Sequence, residues 1–190
     1  IKDESIFVRS VDGNLMSYST IDGSVNWTST HDVPRLSLRG TSAPVVISNA
    51  VICGFDDGKV TAYDLTDGSL LWETMLTPPG GRTEIEKVSD IDAPLVIYGN
   101  EVYAGSYQGA LAALAIESGN IIWLTEASLY AGMDVDDDVV FASEANGTIR
   151  ALSRFTGREV WKKETLLHRY PTAPAIIGDA IVVGALEGYL

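Results

Sequence analysis

The stretch Gly58-Lys-Val-Thr-Ala-Tyr-Asp-Leu-Thr-Asp-Gly-Ser-Leu-Leu-Trp72 decides the fold of this chain. Asp57-Gly58 and Asp67-Gly68 are hairpin dipeptides whose glycine tolerates the positive φ of a tight turn between right-twisted strands. Lys59 to Leu65 is a run rich in β formers, and Ser69 to Glu73 reads as the next strand. The spacing Gly-x9-Gly-x3-Trp recurs as Gly13–Gly23–Trp27, Gly109–Gly119–Trp123 and Gly147–Gly157–Trp161, and Gly188 falls where the next unit would begin it. These are all four tryptophans of the chain, so the match is an internal repeat and not chance.

Two further β runs precede each such segment, as in Pro44–Ser48 and Ala50–Gly54. Each unit therefore holds four short antiparallel strands, A to D. Runs such as Ala180–Gly184 are apolar on successive residues, which predicts sheets buried on both faces. Units of about forty residues covered on both faces are propeller blades. The expected fold is all-β, a single partial β-propeller domain over 1–190. Residues 1–30 supply strands B, C and D, residues 43–76, 93–126 and 129–165 supply three blades, and 174–190 supply A, B and a turn. Cut blades predict unpaired strand edges that fray or pair with another copy of the chain.

Composition narrows the function. The chain has 190 residues, 46% hydrophobic and 21% charged, within the ordinary globular range. Thirteen basic against 26 acidic residues give a net charge of −13, which disfavours nucleic acid as a partner. The longest apolar stretch, Ala173–Leu186, is broken by Pro174 and Asp179 and is too short to span a bilayer, so no direct membrane insertion is expected. A single cysteine, Cys53, excludes an intramolecular disulfide and a cysteine-cluster metal site. Asp134-Val-Asp-Asp-Asp138 lacks the glycine and glutamate of a calcium loop, with Ala145 at the twelfth place, and reads as a polar A–B turn. His31 and His168 have no sequence-local carboxylate or cysteine partners at ligand spacing and read as surface or capping residues. Neither a nucleophile elbow nor a phosphate-binding glycine loop is present. The reading is of a non-enzyme with no catalytic residue, metal or cofactor. The opening IKDESIFVRS has neither an initiator Met nor a leader, so the chain reads as part of something longer.

The period slips in two places. From each tryptophan to the proline opening the next strand A is 17 residues after Trp27 and 22 after Trp72, against 13 after Trp161. In an up-and-down blade the D–A crossovers share a face with the B–C turns, so the two insertions should lie side by side on a rigid scaffold. Leu36 and Leu38 point the same way on an extended segment and, with Arg39, could form an apolar anchor with a charged rim. Taken on the residues alone, the pair reads rather as burying beneath its own loop. Asp90 and Asp92 also share a side, either facing a partner or paired with Arg39, Arg82 or Lys87, a pairing worth little if exposed.

The pattern Ala62-x-Asp64-x3-Gly68-x3-Trp72 resembles the tryptophan-docking repeat of quinoprotein (PQQ-like) propellers, with Ser19, Ala115 and Ser153 replacing the aspartate elsewhere. A large indole can wedge between neighbouring sheets, which gives Trp27, Trp72, Trp123 and Trp161 a structural role. Leu36–Gly40, Thr83–Pro94, Leu166–Arg169 and Gly184–Leu190 resemble the loops of the BamB family, lipoproteins of the bacterial outer-membrane β-barrel assembly machinery. That resemblance implies the middle half of an eight-bladed propeller. It implies a non-enzymatic periplasmic scaffold, tethered to the outer membrane by a lipidated cysteine and assisting assembly of outer-membrane proteins. The implied partner is the POTRA region of BamA, with unfolded outer-membrane proteins as a further one; the partner-binding positions fall on Leu36, Leu38, Arg39, Asp90 and Asp92. Cys53 lies inside a strand run and cannot be the anchor. The alternatives are a quinoprotein dehydrogenase, whose vicinal cysteine pair a single cysteine cannot supply, and a generic propeller module that binds other proteins.

Overall fold

The computed structural model describes residues 2, 4–32, 42–76, 90–91, 93–186 and 188. They form seventeen strands in five antiparallel sheets. The first sheet has three strands, β1 (Ser5–Arg9), β2 (Asn14–Ser19) and β3 (Val25–Thr30). Three four-stranded sheets follow. One is β4 (Val45–Val46), β5 (Ala50–Gly54), β6 (Lys59–Asp64) and β7 (Leu70–Met75); the next is β8 (Val96–Tyr98), β9 (Glu101–Gly105), β10 (Gly109–Ala115) and β11 (Ile121–Ala127). The fourth sheet is β12 (Leu129–Val135), β13 (Val139–Glu144), β14 (Ile149–Ser153) and β15 (Glu159–Lys163), and β16 (Ala175–Ile177) pairs β17 (Ala180–Val182). The fold is a β-propeller built of four-stranded antiparallel blades.

Successive side chains on a strand point to opposite faces, so a strand between two sheets feeds two cores. In β5 and just beyond it, Val51, Cys53 and Phe55 pack with Leu15, Trp27 and Tyr63 toward the first sheet. Ile52 faces the other way and joins Val60, Leu76, Val102 and Leu114. Leu111 and Ala113 of β10 join Tyr103, Leu129 and Leu152 toward the fourth sheet, while Ala112 and Leu114 face back. This double coverage is why the inner strands are apolar on consecutive residues. The Ala180–Gly184 run departs from that expectation: β17 is exposed or half-buried and Ile177 is 63% exposed. Its two-stranded sheet packs against the fourth blade, where the Ile176 amide donates to Asp134 Oδ2 at 2.8 Å.

Each tryptophan sits at one recurring irregularity. Trp27, Trp72, Trp123 and Trp161 lie opposite Ser17, Ala62, Ala113 and Ala151, and the ladder slips immediately after each of these pairs. The resulting bulge re-aims strand D so that the indole reaches the following blade. There Trp27 Nε1 donates to Leu65 O (3.1 Å), Trp72 to Ile116 O (2.8 Å) and Trp123 to Arg154 O (2.5 Å). The indoles lie directly on the glycines of the C–D turns. A Cβ on Gly119 would come 2.4 Å from Trp72 Cε3, so the site demands glycine for space as well as for its φ of +69°.

Two chemically different faces result. The C–D turns hydrogen-bond the A–B turns of their own blades, as in Leu65 N to Asn49 O, Ile116 N to Asn100 O and Arg154 N to Asp138 O. The D–A crossovers begin against the B–C turns instead, as in His31 N to Gly13 O and Leu76 N to Gly58 O. The first face is acidic. Its C–D turns carry Asp22, Asp64, Asp67 and Glu117, and its A–B turns carry Asp136–Asp138 and Asp179, against Lys2, Arg154 and Arg158 among the described residues. Turn chemistry explains many of these acids: Asp22, Asp64 and Asp67 each accept a backbone N–H two residues on.

Candidate functional site

The candidate site lies on the crossover face. Leu36, Leu38, Arg39 and Asp92 fall outside the described residues, and of the five proposed partner-binding positions only Asp90 is described. Asp90 is fully buried, and its carbonyl accepts the Tyr107 amide at 3.1 Å. This corrects the expectation of an exposed charge whose removal the fold would barely register. The next residue, Ile91, donates its amide to Phe55 O at 3.2 Å. Residues 90–91 therefore thread between the B–C turns of the second and third blades.

Gly54 shows how tightly the segment is held. A Cβ there would lie 2.3 Å from Ile91 Cγ2 and 3.0 Å from Ser42 Oγ. Ser42 closes the first inserted crossover and Ile91 lies at the end of the second, so both insertions return to the scaffold over one glycine. Ser42 and Ile91 are buried.

Next to this junction is a polar cluster that sequence reading missed. His31, the first residue of the crossover, is buried and stacks on Phe55 with ring centroids 4.0 Å apart. Its Nε2 lies 2.9 Å from Asp57 Oδ2 and its Nδ1 lies 3.6 Å from Glu73 Oε2. Lys59 Nζ bridges the same carboxylates, 2.8 Å from Glu73 and 3.4 Å from Asp57. His31 is thus no surface or capping residue: its carboxylate partners are 26 and 42 positions away, beyond any local spacing. Arg9 also lies over the Phe55 ring, its guanidinium carbon 4.8 Å from the centroid, and is ion-paired to Asp56 with both side chains buried. Asp57 is held below its ordinary value: burial pushes it up, but the His31 hydrogen bond and charge, with Lys59, outweigh burial. The Glu73 hydrogen bond pushes Lys59 up, against a smaller opposing effect of burial.

The remaining sequence candidates fall as follows. Burial in β5 pushes the Cys53 thiol up to about 12, so it stays a protonated packing group rather than a nucleophile. Asp136–Asp138 form the turn between β12 and β13, where Asp136 accepts the amides of Asp138 and Val139 at 2.9 and 2.6 Å. His168 donates its amide to Asn146 O and adopts φ of +61° in the crossover after β15. Trp27 and Trp123 are buried, while Trp72 and Trp161 are half-buried. Among the described residues no group of His, Cys, Asp and Glu is placed to hold a metal ion.

Comparison with known proteins gives one consistent answer. The family model for outer membrane protein assembly factor BamB matches residues 1–163. The assembly factor BamB of Yersinia pestis is 37% identical over all 190 residues, covering 48% of that protein. BamB of Kangiella koreensis is 42% identical over 158 residues, 83% of this chain and 41% of its own length. The crystal structure of BamB from Moraxella catarrhalis superposes with a TM-score of 0.89 at 28% identity, over 97% of this chain and 56% of that one. A europium-containing methanol dehydrogenase, at 13% identity and a TM-score of 0.72, shares the fold alone. The chain spans about half the length of the curated relatives it matches. Repeat, fold and kinship agree: the chain belongs to the outer membrane protein assembly factor BamB family.

Proposed function

We propose that this chain is a partial propeller domain over 1–190, serving as a non-enzymatic scaffold of the outer-membrane β-barrel assembly machinery. It acts in the periplasm, attached to the outer membrane by a lipid anchor borne on another part of the protein. Its crossover face binds the POTRA region of BamA through Leu36, Leu38, Arg39 and Asp92, with the buried Asp90 in support, which assists assembly of unfolded outer-membrane proteins. One observation supports this reading above the others: Ser42 and Ile91 meet over Gly54, so both inserted crossovers rise from one point of a rigid face. Interfaces favour an apolar anchor beside arginine on such a support. Because Asp90 is buried, its role in this reading is to hold its own segment in place rather than to touch the partner.

Binding to an immobilised POTRA fragment tests the proposal. Leu36→Ala, Arg39→Ala and Asp92→Ala should each weaken binding more than tenfold, about 1.4 kcal/mol, at unchanged melting temperature. Unchanged affinity in all three would overturn the assignment, and a drop in melting temperature with Leu36→Ala would make that leucine a core residue. Addition of PQQ and calcium should leave absorbance and melting unaltered, whereas a new chromophore would favour the quinoprotein reading.

A further inference from the structure

On the face opposite the crossovers, a groove of about 610 Å³ with a mixed polar and apolar lining lies between the second and third blades. Leu71, Trp72, Ile97 and Ile116 line it, Glu117 flanks it, and the A–B turns Ser48-Asn49 and Gly99-Asn100 form its rims. Leu71 is 46% exposed and Trp72 half-buried, so the apolar lining is accessible. The tie from Trp72 Nε1 to Ile116 O fixes the indole in place, leaving a rigid wall that loses little entropy on being covered.

The rim chemistry is displayed by the chain itself. Lys2 Nζ reaches across to donate to Ile47 O at 3.0 Å and Ser48 O at 2.6 Å, on the second-blade rim of the groove. Tyr98 and Gly99 occupy the same rung of the third-blade hairpin, since Val96, Ile97 and Tyr98 pair Tyr103, Val102 and Glu101 as Val45 and Val46 pair Ile52 and Val51. No described lysine donates to that second rim. Around it, Asp64, Asp67 and Glu117 contribute to a face whose acids outnumber its bases. Such a field attracts cations over about a Debye length, roughly 8 Å at physiological salt.

We infer that this groove takes an extended basic peptide segment, in which an aliphatic or aromatic side chain neighbours a lysine or arginine. The apolar side chain covers Trp72 and Ile116, and the cation sits between the Gly99 rim and Glu117 as Lys2 sits on the Ser48 rim. An acidic segment would meet a face on which acids outnumber Lys2, Arg154 and Arg158. The site lies opposite the crossovers, so the inference does not rest on the proposed POTRA reading.

The test titrates the isotope-labelled 190-residue chain with acetyl-Lys-Val-Lys-Phe-Lys-amide, using acetyl-Glu-Val-Glu-Phe-Glu-amide as control, at low and high salt. The basic peptide should shift the Trp72 indole and the Asn49, Gly99 and Glu117 amides, bind at least tenfold tighter than the acidic one, and weaken with salt. Glu117→Lys should weaken binding about threefold, the scale of one exposed ion pair. Leu71→Asp should weaken it about tenfold through lost apolar contact. Both positions are exposed, so the variants should fold normally. Arg39→Ala in the crossover should leave peptide binding intact. Equal affinity for the two peptides, shifts confined to the crossover face, or insensitivity to both groove variants would each overturn the inference.

Discussion

Arg9 shows how one buried charge ties two blades together. Its side chain is 1% exposed, Asp56 on the next blade is its ion-pair partner, and its Nε and Nη1 have no hydrogen-bond acceptor among the described residues. A pair so buried gains little over an apolar substitute, yet stranding one partner is expensive. Asp56→Ala should therefore lower stability by about 3–5 kcal/mol, read from the urea midpoint, while Arg9→Met added to Asp56→Leu should recover most of it. Asp57, next in sequence, predicts a pH dependence. Its folded value lies below the ordinary 3.8, so near and below that pH the folded state binds fewer protons than the unfolded chain. The stabilisation is present above 3.8 and is lost as pH falls through the folded value. Lys59, raised above 10.5, has the opposite sign: its contribution is present below that value and is lost as pH rises through the folded one. Thermal melts against pH should show Asp57→Asn less stable at neutrality and flatter on the acid side than the parent.

At the scale of the element, the tryptophan bulge joins consecutive blades. Trp72 makes a hydrogen bond to Ile116 O and packs on Gly119, so Trp72→Ala should cost about 3–5 kcal/mol. A loss under about 1 kcal/mol would mean that the indole does not carry the junction. Gly119→Ala tests the same joint from the other side and should destabilise by more than about 1 kcal/mol, since the added methyl meets both a positive φ and the indole. Trp161 is half-buried and tilts against Phe141 with centroids 6.0 Å apart, with no next-blade carbonyl accepting its Nε1 among the described residues. Trp161→Ala should accordingly cost less than Trp72→Ala in the same chemical denaturation series. The hairpin of the third blade adds a local variation. Gln108, not Gly109, adopts the positive φ, at +51°, and Gly109 begins β10. The repeat of glycines is thus regular in sequence while the strained residue moves by one.

For the molecule as a whole, coverage decides exposure. Ile6 and Val8 of β1 are each 40% exposed on a three-stranded sheet, and Ile177 lies open on the two-stranded one. Apolar strands with uncovered edges recruit further strands, so the 190-residue chain should self-associate with rising concentration in sedimentation velocity. Ile6→Lys combined with Val8→Lys should suppress that association without loss of the inner blades. A strictly monomeric chain at high concentration would argue against strand pairing through these sheets. The two disc faces should meanwhile act independently: crossover variants and groove variants lie on opposite sides, so their effects on binding should add.

Much of this architecture is legible in one dimension because its determinants are local. An Asp-Gly turn, a β-rich strand and a tryptophan four residues past a glycine lie within about fifteen residues, and turn geometry and β propensity act over just that range. The sequence by itself therefore determined the four-stranded unit, its repetition and the places where the period lengthens. Tertiary structure alone decided what those units place together. His31 meets Phe55, Asp57 and Glu73 across 24 to 42 positions, Arg9 meets Asp56 across 47, and Ser42 meets Ile91 over Gly54. No spacing rule reaches that far, because packing of one blade on the next sets those neighbours. For the same reason Asp90 reads as a rim charge in the chain and is a buried one in the fold: burial depends on which turns close over a residue, not on the residue itself.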